Sequence, residues 1–205
     1  MDRVTNPATQ YPWFNRPVPA GGYCWWYIDA MSDDQQHMLT IIAFIGSVFS
    51  PYYRRARRNS QADPLNHCSI NVVLYGRQIL NRWCMTERPR HVVDVSPDRF
   101  VIGPSQLRFS ETAPGQGILH ITVDEKTAPA PRDVKGSIEV SVSVQPEQFY
   151  LHPNQQHIWW PAAPNSTIKV DFQRPGLTWN GQAYVDMNWG SQPLEDDMDY
   201  WCWSR

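Results

Sequence analysis

The stretch "KGSIEVSVSVQ", Lys135 to Gln145, decides the fold. Ile138, Val140, Val142 and Val144 fall on one face of an extended chain, and Glu139, Ser141 and Ser143 on the other. That alternation has the period of a strand; a helix would scatter the same residues around its circumference. One apolar and one polar face mark a half-buried antiparallel strand. Just upstream, "GILHITVDE" alternates in the same way. Further out, "GGYCWWYIDAMSDD" reads as a strand that ends in an acidic turn at Asp33-Asp34. "HMLTIIAFIGSVF" is apolar almost throughout and predicts a strand covered on both faces. "LNHCSINVVLYG", "RWCMTER", "RFVIG", "SQLRFS" and "TIKVDF" extend the series, and "SPYYRRARRNSQADP" reads as a basic loop. About ten short strands with Pro, Gly and Asn between them, and no helix of any length, predict an all-β antiparallel barrel or sandwich.

Composition agrees. The chain has 205 residues and a formal net charge of −2, enough for one sizeable domain and without the basic footprint of a nucleic-acid binder. Its 18 Pro disfavour long helices, and its ten Trp favour a wide amphipathic interior or a ligand cleft. Cys24, Cys68, Cys84 and Cys202 form no CxxC pair and read as reduced, buried, small apolar residues, as in a reducing compartment. The opening "MDRVTNPATQYPWF" has no apolar core of the signal-peptide kind, and the apolar run from Leu39 to Phe49 is too short to span a bilayer. Residues 1–20 are polar and Pro-rich and read as an extended lead-in. Residues 21–190 read as the barrel domain. The terminal "DYWCWSR" alternates again and reads as a strand that stops with no partner behind it.

Most catalytic signatures are missing. No GxSxG, GxGxxG or phosphate loop is present. The six histidines show no metal-ligand spacing, His152 and His157 being the only close pair, so no metal is expected. Arg54, Arg55, Arg57 and Arg58 follow Tyr52-Tyr53; they suit a solvated loop or contact with anionic lipid headgroups.

The C-terminal third carries more. In "NGQAYVDMNWG", Asn180-Gly181 is a turn signal, and Tyr184, Asp186 and Asn188 then share one face. In "QQHIWWP", His157 and Trp159 share a side if the segment is extended. Were these two strands neighbours, His157, Trp159, Tyr184 and Asp186 would converge on one cavity. A carboxylate walled by Trp and Tyr is desolvated, which raises its pKa. Reaching neutrality from about 3.9 takes on the order of 4 kcal/mol of environment. Nearby aromatic faces stabilise a cation by roughly 1–2 kcal/mol each when water is excluded. Residue types alone fit both a hydrogen-bonded structural Asp and an acid that protonates an electron-rich alkene.

Several blocks, "GGYCWWYIDAMSDD", "LTIIAFIGSVFSPYY", "DPLNHCSINVVLYG", "RWCMTER", "VIGPSQL" and "AYVDMNWGSQPLEDD…WCWSR", closely resemble bacterial carotenoid 1,2-hydratases, also called hydroxyneurosporene synthases. The resemblance runs from about Pro12 to the end of the chain. It implies a lipocalin-like β-barrel, with 191–205 opening a second, truncated barrel. It implies addition of water to the terminal C1–C2 double bond of acyclic carotenoids such as neurosporene and lycopene, with no cofactor. The family's H-x-W and Y-x-D patterns fall on His157, Trp159, Tyr184 and Asp186. With Asp186 as acid, Trp159 and Tyr184 would face the cation, and His157 or Asp186 itself would take the proton of water. A membrane-held substrate further implies a cytoplasmic protein peripheral to the bacterial inner (photosynthetic) membrane, touching it through Arg54, Arg55, Arg57 and Arg58. The rival readings are a non-catalytic lipocalin-like binder of apolar ligands and a cyclase on the same scaffold.

Overall fold

The computed structural model describes residues 1–59, 62–76 and 81–200. One antiparallel sheet of twelve strands curls into a nearly closed barrel. In chain order the elements are β1 (Tyr23–Ser32), β2 (His37–Ile45), α1 (Pro51–Asn59), β3 (Cys68–Gly76), β4 (Arg82–Arg88), β5 (Val93–Val95), β6 (Arg99–Ile102), β7 (Ser105–Ala113), β8 (Gln116–Lys126), β9 (Asp133–Ser143), β10 (Phe149–Tyr150), β11 (His157–Arg174) and β12 (Leu177–Gly190). Their order across the sheet is β4-β3-β2-β1-β12-β11-β9-β8-β7-β6-β5, with β10 paired to β11. Consecutive strands mostly lie side by side; the longest step in sequence joins β1 to β12.

The period-2 reading of β9 holds residue by residue. Val134, Gly136, Ile138, Val140 and Val142 are buried and the residues between them are exposed. The buried rows of all the strands meet in one interior, where Trp26, Trp160, Phe100, Phe172 and Ile41 are fully enclosed. The extended lead-in helps to fill that interior. Phe14 packs at a tilt between Trp26 and Phe100, Tyr11 meets Phe109 and Trp160 edge-on, and the Trp26 indole donates to the Pro12 carbonyl at 2.7 Å.

Three local expectations need correction. The basic stretch is not all loop, because Pro51–Asn59 is helical. Ser50 caps it, its hydroxyl accepting from the Tyr53 N–H at 2.9 Å; Pro51 occupies the first turn, and Arg57 and Arg58 sit at the negative end of the dipole. Asn180-Gly181 is not a turn either. It lies inside β12, and the chain reverses at Pro175-Gly176, where Gly176 has φ +88°. Gly181 is needed for close approach, since a Cβ there would lie 2.0 Å from the Met31 carbonyl oxygen of the paired β1. Finally, β2 is sealed throughout only on its inner face; on the other, Phe44 alone is buried. Thr40 and Ile42 on the other face are half-buried and Met38 is exposed. That open face proves to be the wall of a cavity.

Residues 191–200 hold one 3₁₀ turn, Leu194–Asp196, and no strand. The strand expected in "DYWCWSR" falls largely outside the described residues, as does Cys202; Cys24, Cys68 and Cys84 are buried and unpaired.

Among the described residues, the barrel's seam is closed by side chains rather than by a ladder. Glu125 of β8, 3% exposed, accepts from Ser105 at 2.8 Å, from Thr86 of β4 at 2.7 Å and from the Arg88 guanidinium at 3.1 Å. A buried carboxylate with this many donors holds the edge strand, and its loss strands the arginine. Glu125→Ala is expected to destabilise the fold by about 3 kcal/mol and Glu125→Gln by about half that, as measured by urea unfolding.

Candidate active site

β11 and β12 form a hairpin, so the two segments singled out in the sequence are neighbours. Trp159 pairs with Asn188, and His157 with Gly190. On its other side β12 pairs with β1, setting Tyr27 opposite Asp186, Trp25 opposite Asn188 and Asp29 opposite Tyr184. Two bulges interrupt β11 between Trp160 and Ser166, around Pro161 and Pro164, which have no N–H to give to a ladder.

Alternation then decides where the carboxylate points. Val185, Met187 and Trp189 face the barrel core, together with Cys24, Trp26 and Ile28 of β1. Tyr184, Asp186 and Asn188 therefore face the outer side of the sheet. The site is a cleft on the barrel wall and not the barrel interior. Tyr23, Trp25 and Phe44 form a separate apolar cluster there, with Tyr27, Ile42, Val48 and Leu194 packed against it. Trp25, Tyr27, Phe44, Phe49 and Leu194 border a cavity of about 230 Å³, with Asp186 and Asn188 in its wall.

Asp186 is 2% exposed. One carboxylate oxygen accepts from the Trp159 indole N–H at 3.2 Å and the other from the Asn188 amide at 3.0 Å. The Tyr184 hydroxyl lies near enough to favour its charge as well. These three donors favour the charged form. Burial opposes them and wins, with a small contribution from nearby Asp29, so that the carboxyl is raised to about 7. Burial likewise pushes the phenols of Tyr184 and Tyr27 up, which keeps both protonated.

Of the four residues predicted to converge, Trp159, Tyr184 and Asp186 do so. His157 is held apart. Its ring is fully buried, with Nδ1 at 2.8 Å from the Tyr23 hydroxyl and Nε2 at 2.8 Å from an Asp197 carboxylate oxygen. Asn188 completes the Asp186 shell and was legible, since it has the same strand parity. Trp25, Tyr27 and Phe44 carried no local signal, because only the β1–β12 and β1–β2 registers bring them to the carboxylate. The arginines also separate. The Arg57 guanidinium lies 4.5 Å over the Tyr53 ring and pairs with Glu195, while Arg54, Arg55 and Arg58 are exposed beside exposed Phe49 and Tyr52. Among the described residues no three His, Cys, Asp or Glu side chains are grouped to hold a metal ion, and no helix is long and apolar enough to cross a membrane.

The raised carboxyl has a consequence for stability. A group whose folded pKa lies above its unfolded value binds more protons when folded. Its contribution is therefore complete below about pH 4 and lost as pH rises through about 7. A shift of about three units is worth on the order of 4 kcal/mol. Asp186→Asn abolishes this dependence, although one amide oxygen serves only part of the three donors. The variant is expected to be more stable than the native chain by about 1–3 kcal/mol at pH 8, with no gain at pH 4. Urea unfolding at the two pH values checks it; an equal difference at both would show that the Asp186 charge is not linked to folding.

Comparison with known proteins adds the family. The profile of the family described as carotenoid hydratase CrtC matches residues 41–205. An acyclic carotenoid 1,2-hydratase from Thiocapsa roseopersicina is 50% identical over 195 residues, covering 95% of this chain and 47% of that protein. One from Rubrivivax gelatinosus is 46% identical over 197 residues, with the same coverage. The chain thus spans about half the length of the curated relatives it matches. A solved structure from Nitrosomonas europaea, described as AttH, has a TM-score of 0.56 at 15% identity, covering 93% of this chain and 58% of that one. That likeness is one of fold alone.

Proposed function

We propose a function on the premise that this chain belongs to the carotenoid hydratase CrtC family: acid-catalysed addition of water to the terminal C1–C2 double bond of an acyclic carotenoid such as lycopene or neurosporene. The observation that carries this is a neutral-range carboxyl, Asp186, set in an aromatic cleft. The relatives named acyclic carotenoid 1,2-hydratases supply the substrate class.

In this reading the cleft takes the end of a long hydrocarbon rather than the whole molecule. Protonated Asp186 transfers its proton to C2 and leaves a tertiary cation at C1. Tyr184 and Trp159, both beside Asp186, stabilise that cation with their ring faces, by roughly 1–2 kcal/mol each. The new carboxylate is stabilised at the same moment by the Trp159, Tyr184 and Asn188 donors, which strengthen as charge develops on it. Water adds to C1, and its spare proton returns to Asp186, which restores the acid. Asp186 is the better acceptor for that proton because both nitrogens of His157 are already engaged. The step consumes no electrons, so it needs no redox cofactor. An internal lipocalin-like binding site has less support, since Phe14, Trp26, Trp160 and Phe100 fill the interior.

Detergent-dispersed lycopene in heavy water, with the Thiocapsa roseopersicina enzyme run in parallel, tests the proposal. The expected product is heavier by one water and carries solvent deuterium on carbon. Its rate is expected to fall as pH rises through about 7, because the protonated acid is the active form. Asp186→Asn is expected to lose at least about 10³-fold. Trp159→Ala is expected to lose roughly 10–30-fold and Trp159→Phe much less. Product free of carbon-bound deuterium, or a fully active Asp186→Asn, would overturn the mechanism.

The same substrate suggests where the protein works. Arg54, Arg55 and Arg58, with exposed Phe49 at the cavity and Tyr52 beside it, suit contact with an anionic membrane surface. Arg57 is withdrawn from that set by Tyr53 and Glu195. Binding to phosphatidylglycerol vesicles is expected to weaken with added salt. Replacing the three exposed arginines with Glu is expected to cost about 1 kcal/mol per residue or more, measured by vesicle sedimentation.

A further inference from the structure

After β12 the chain turns back over the outer face of the sheet. Leu194 packs on Tyr23, Trp25 and Phe44 and forms part of the wall of the Asp186 cavity. Ser191 is tied to Gln156 through its N–H at 3.1 Å, and Glu195 to Arg57. Asp197 is the most heavily bonded residue of this strap. One of its oxygens meets His157 Nε2 at 2.8 Å and accepts from the Asn154 amide at 2.6 Å and from the Gln192 amide. From its other edge, the His157 ring reaches the Tyr23 hydroxyl at 2.8 Å. All partners are satisfied if Nε2–H donates to Asp197 and Nδ1 accepts from Tyr23, whose phenol burial keeps protonated. Tyr23 in turn stacks on Trp25 at 5.0 Å, and Trp25 borders the cavity. The seat for the ring is built into β12, since a Cβ on Gly190 would lie 2.6 Å from His157 Nδ1.

We propose that His157 is a positioning residue: by bridging Asp197 to Tyr23 it latches the strap 191–197 across the cleft, so that Leu194 closes the Asp186 cavity against water. His157 then carries no proton in the reaction. The inference rests on reading the Asp186 cleft as the reacting site. The groups facing Asp186 are Tyr184 and Asn188 of β12, Trp159 of β11, and Tyr27 and Asp29 of β1; Tyr11 of the lead-in senses its charge from the core side of the sheet. None belongs to the strap, which meets the cavity through an apolar side chain. A loosened latch therefore acts on Asp186 by admitting water, which relieves the desolvation of its charged form.

The test follows the Asp186 carboxyl band in the infrared as a function of pH, assigned as the band missing in Asp186→Asn. Asp197→Ala, Leu194→Ala and His157→Phe are each expected to lower its midpoint by about one pH unit or more from the native value. Asp197→Asn retains an oxygen for the Nε2–H and is expected to titrate close to native. Native midpoints in both Asp197→Ala and Leu194→Ala would overturn the latch. Those two variants decide the matter even if His157→Phe fails to fold, because both side chains lie off the sheet. The readout needs no turnover, so the two ideas fail separately. No hydration with shifted midpoints would sink the proposed reaction and leave the latch, whereas hydration with unshifted midpoints would do the reverse.

Discussion

From Tyr184 to Gly190 neither face of β12 meets water, although the strand carries a carboxylate. Pairing on both sides makes this possible, with β1 along one edge and β11 along the other. Its odd-numbered side chains complete the barrel core. Its even-numbered ones look outward into a second, smaller apolar cluster supplied by β1 and β2. Everything particular to this protein follows from that doubly buried half-strand. Before Tyr184 the same strand alternates buried and exposed like any surface strand. The cover over the outer face therefore begins at Tyr184, two residues before Asp186.

Asp186 shows two opposing effects of comparable size. Three hydrogen-bond donors would hold an exposed carboxylate well below neutrality, and removal from water pushes the other way. Burial wins by about three pH units. A carboxyl balanced in this way can release a proton near neutral pH and still find donors waiting for the charge it acquires. An apolar pocket without the donors would give a weaker acid. Donors without the pocket would give an ordinary carboxylate.

The position of the site on the barrel wall matters as much as its chemistry. The interior is packed with aliphatic and aromatic residues, two of the aromatics brought in by the lead-in segment. The outer cleft is bordered by exposed Phe49, which shortly precedes α1 with its exposed Tyr52, Arg54, Arg55 and Arg58. The strap after β12 crosses that same side, fastened to the sheet by a buried imidazole.

Period-2 alternation in Lys135–Gln145 and its neighbours was enough to establish an antiparallel all-β fold, because strand faces are a local property of the backbone. The same rule grouped Tyr184 with Asp186 and His157 with Trp159, and family motifs joined the two pairs. Local signals misled where tertiary packing overrode them. Asn180-Gly181 resembles a turn, but its glycine serves the close approach of β1. The arginine run resembles a loop, yet the Ser50 cap and the buried Tyr53 make it a helix. Three decisions belonged to the tertiary structure alone: that Asp186 faces the outer wall, that Trp25, Tyr27 and Phe44 meet it there, and that His157 turns to Asp197 and Tyr23 instead. Each depends on strand register and on which sheet face is covered. These are set by contacts between residues far apart in the chain, which leave no periodic trace in any one segment.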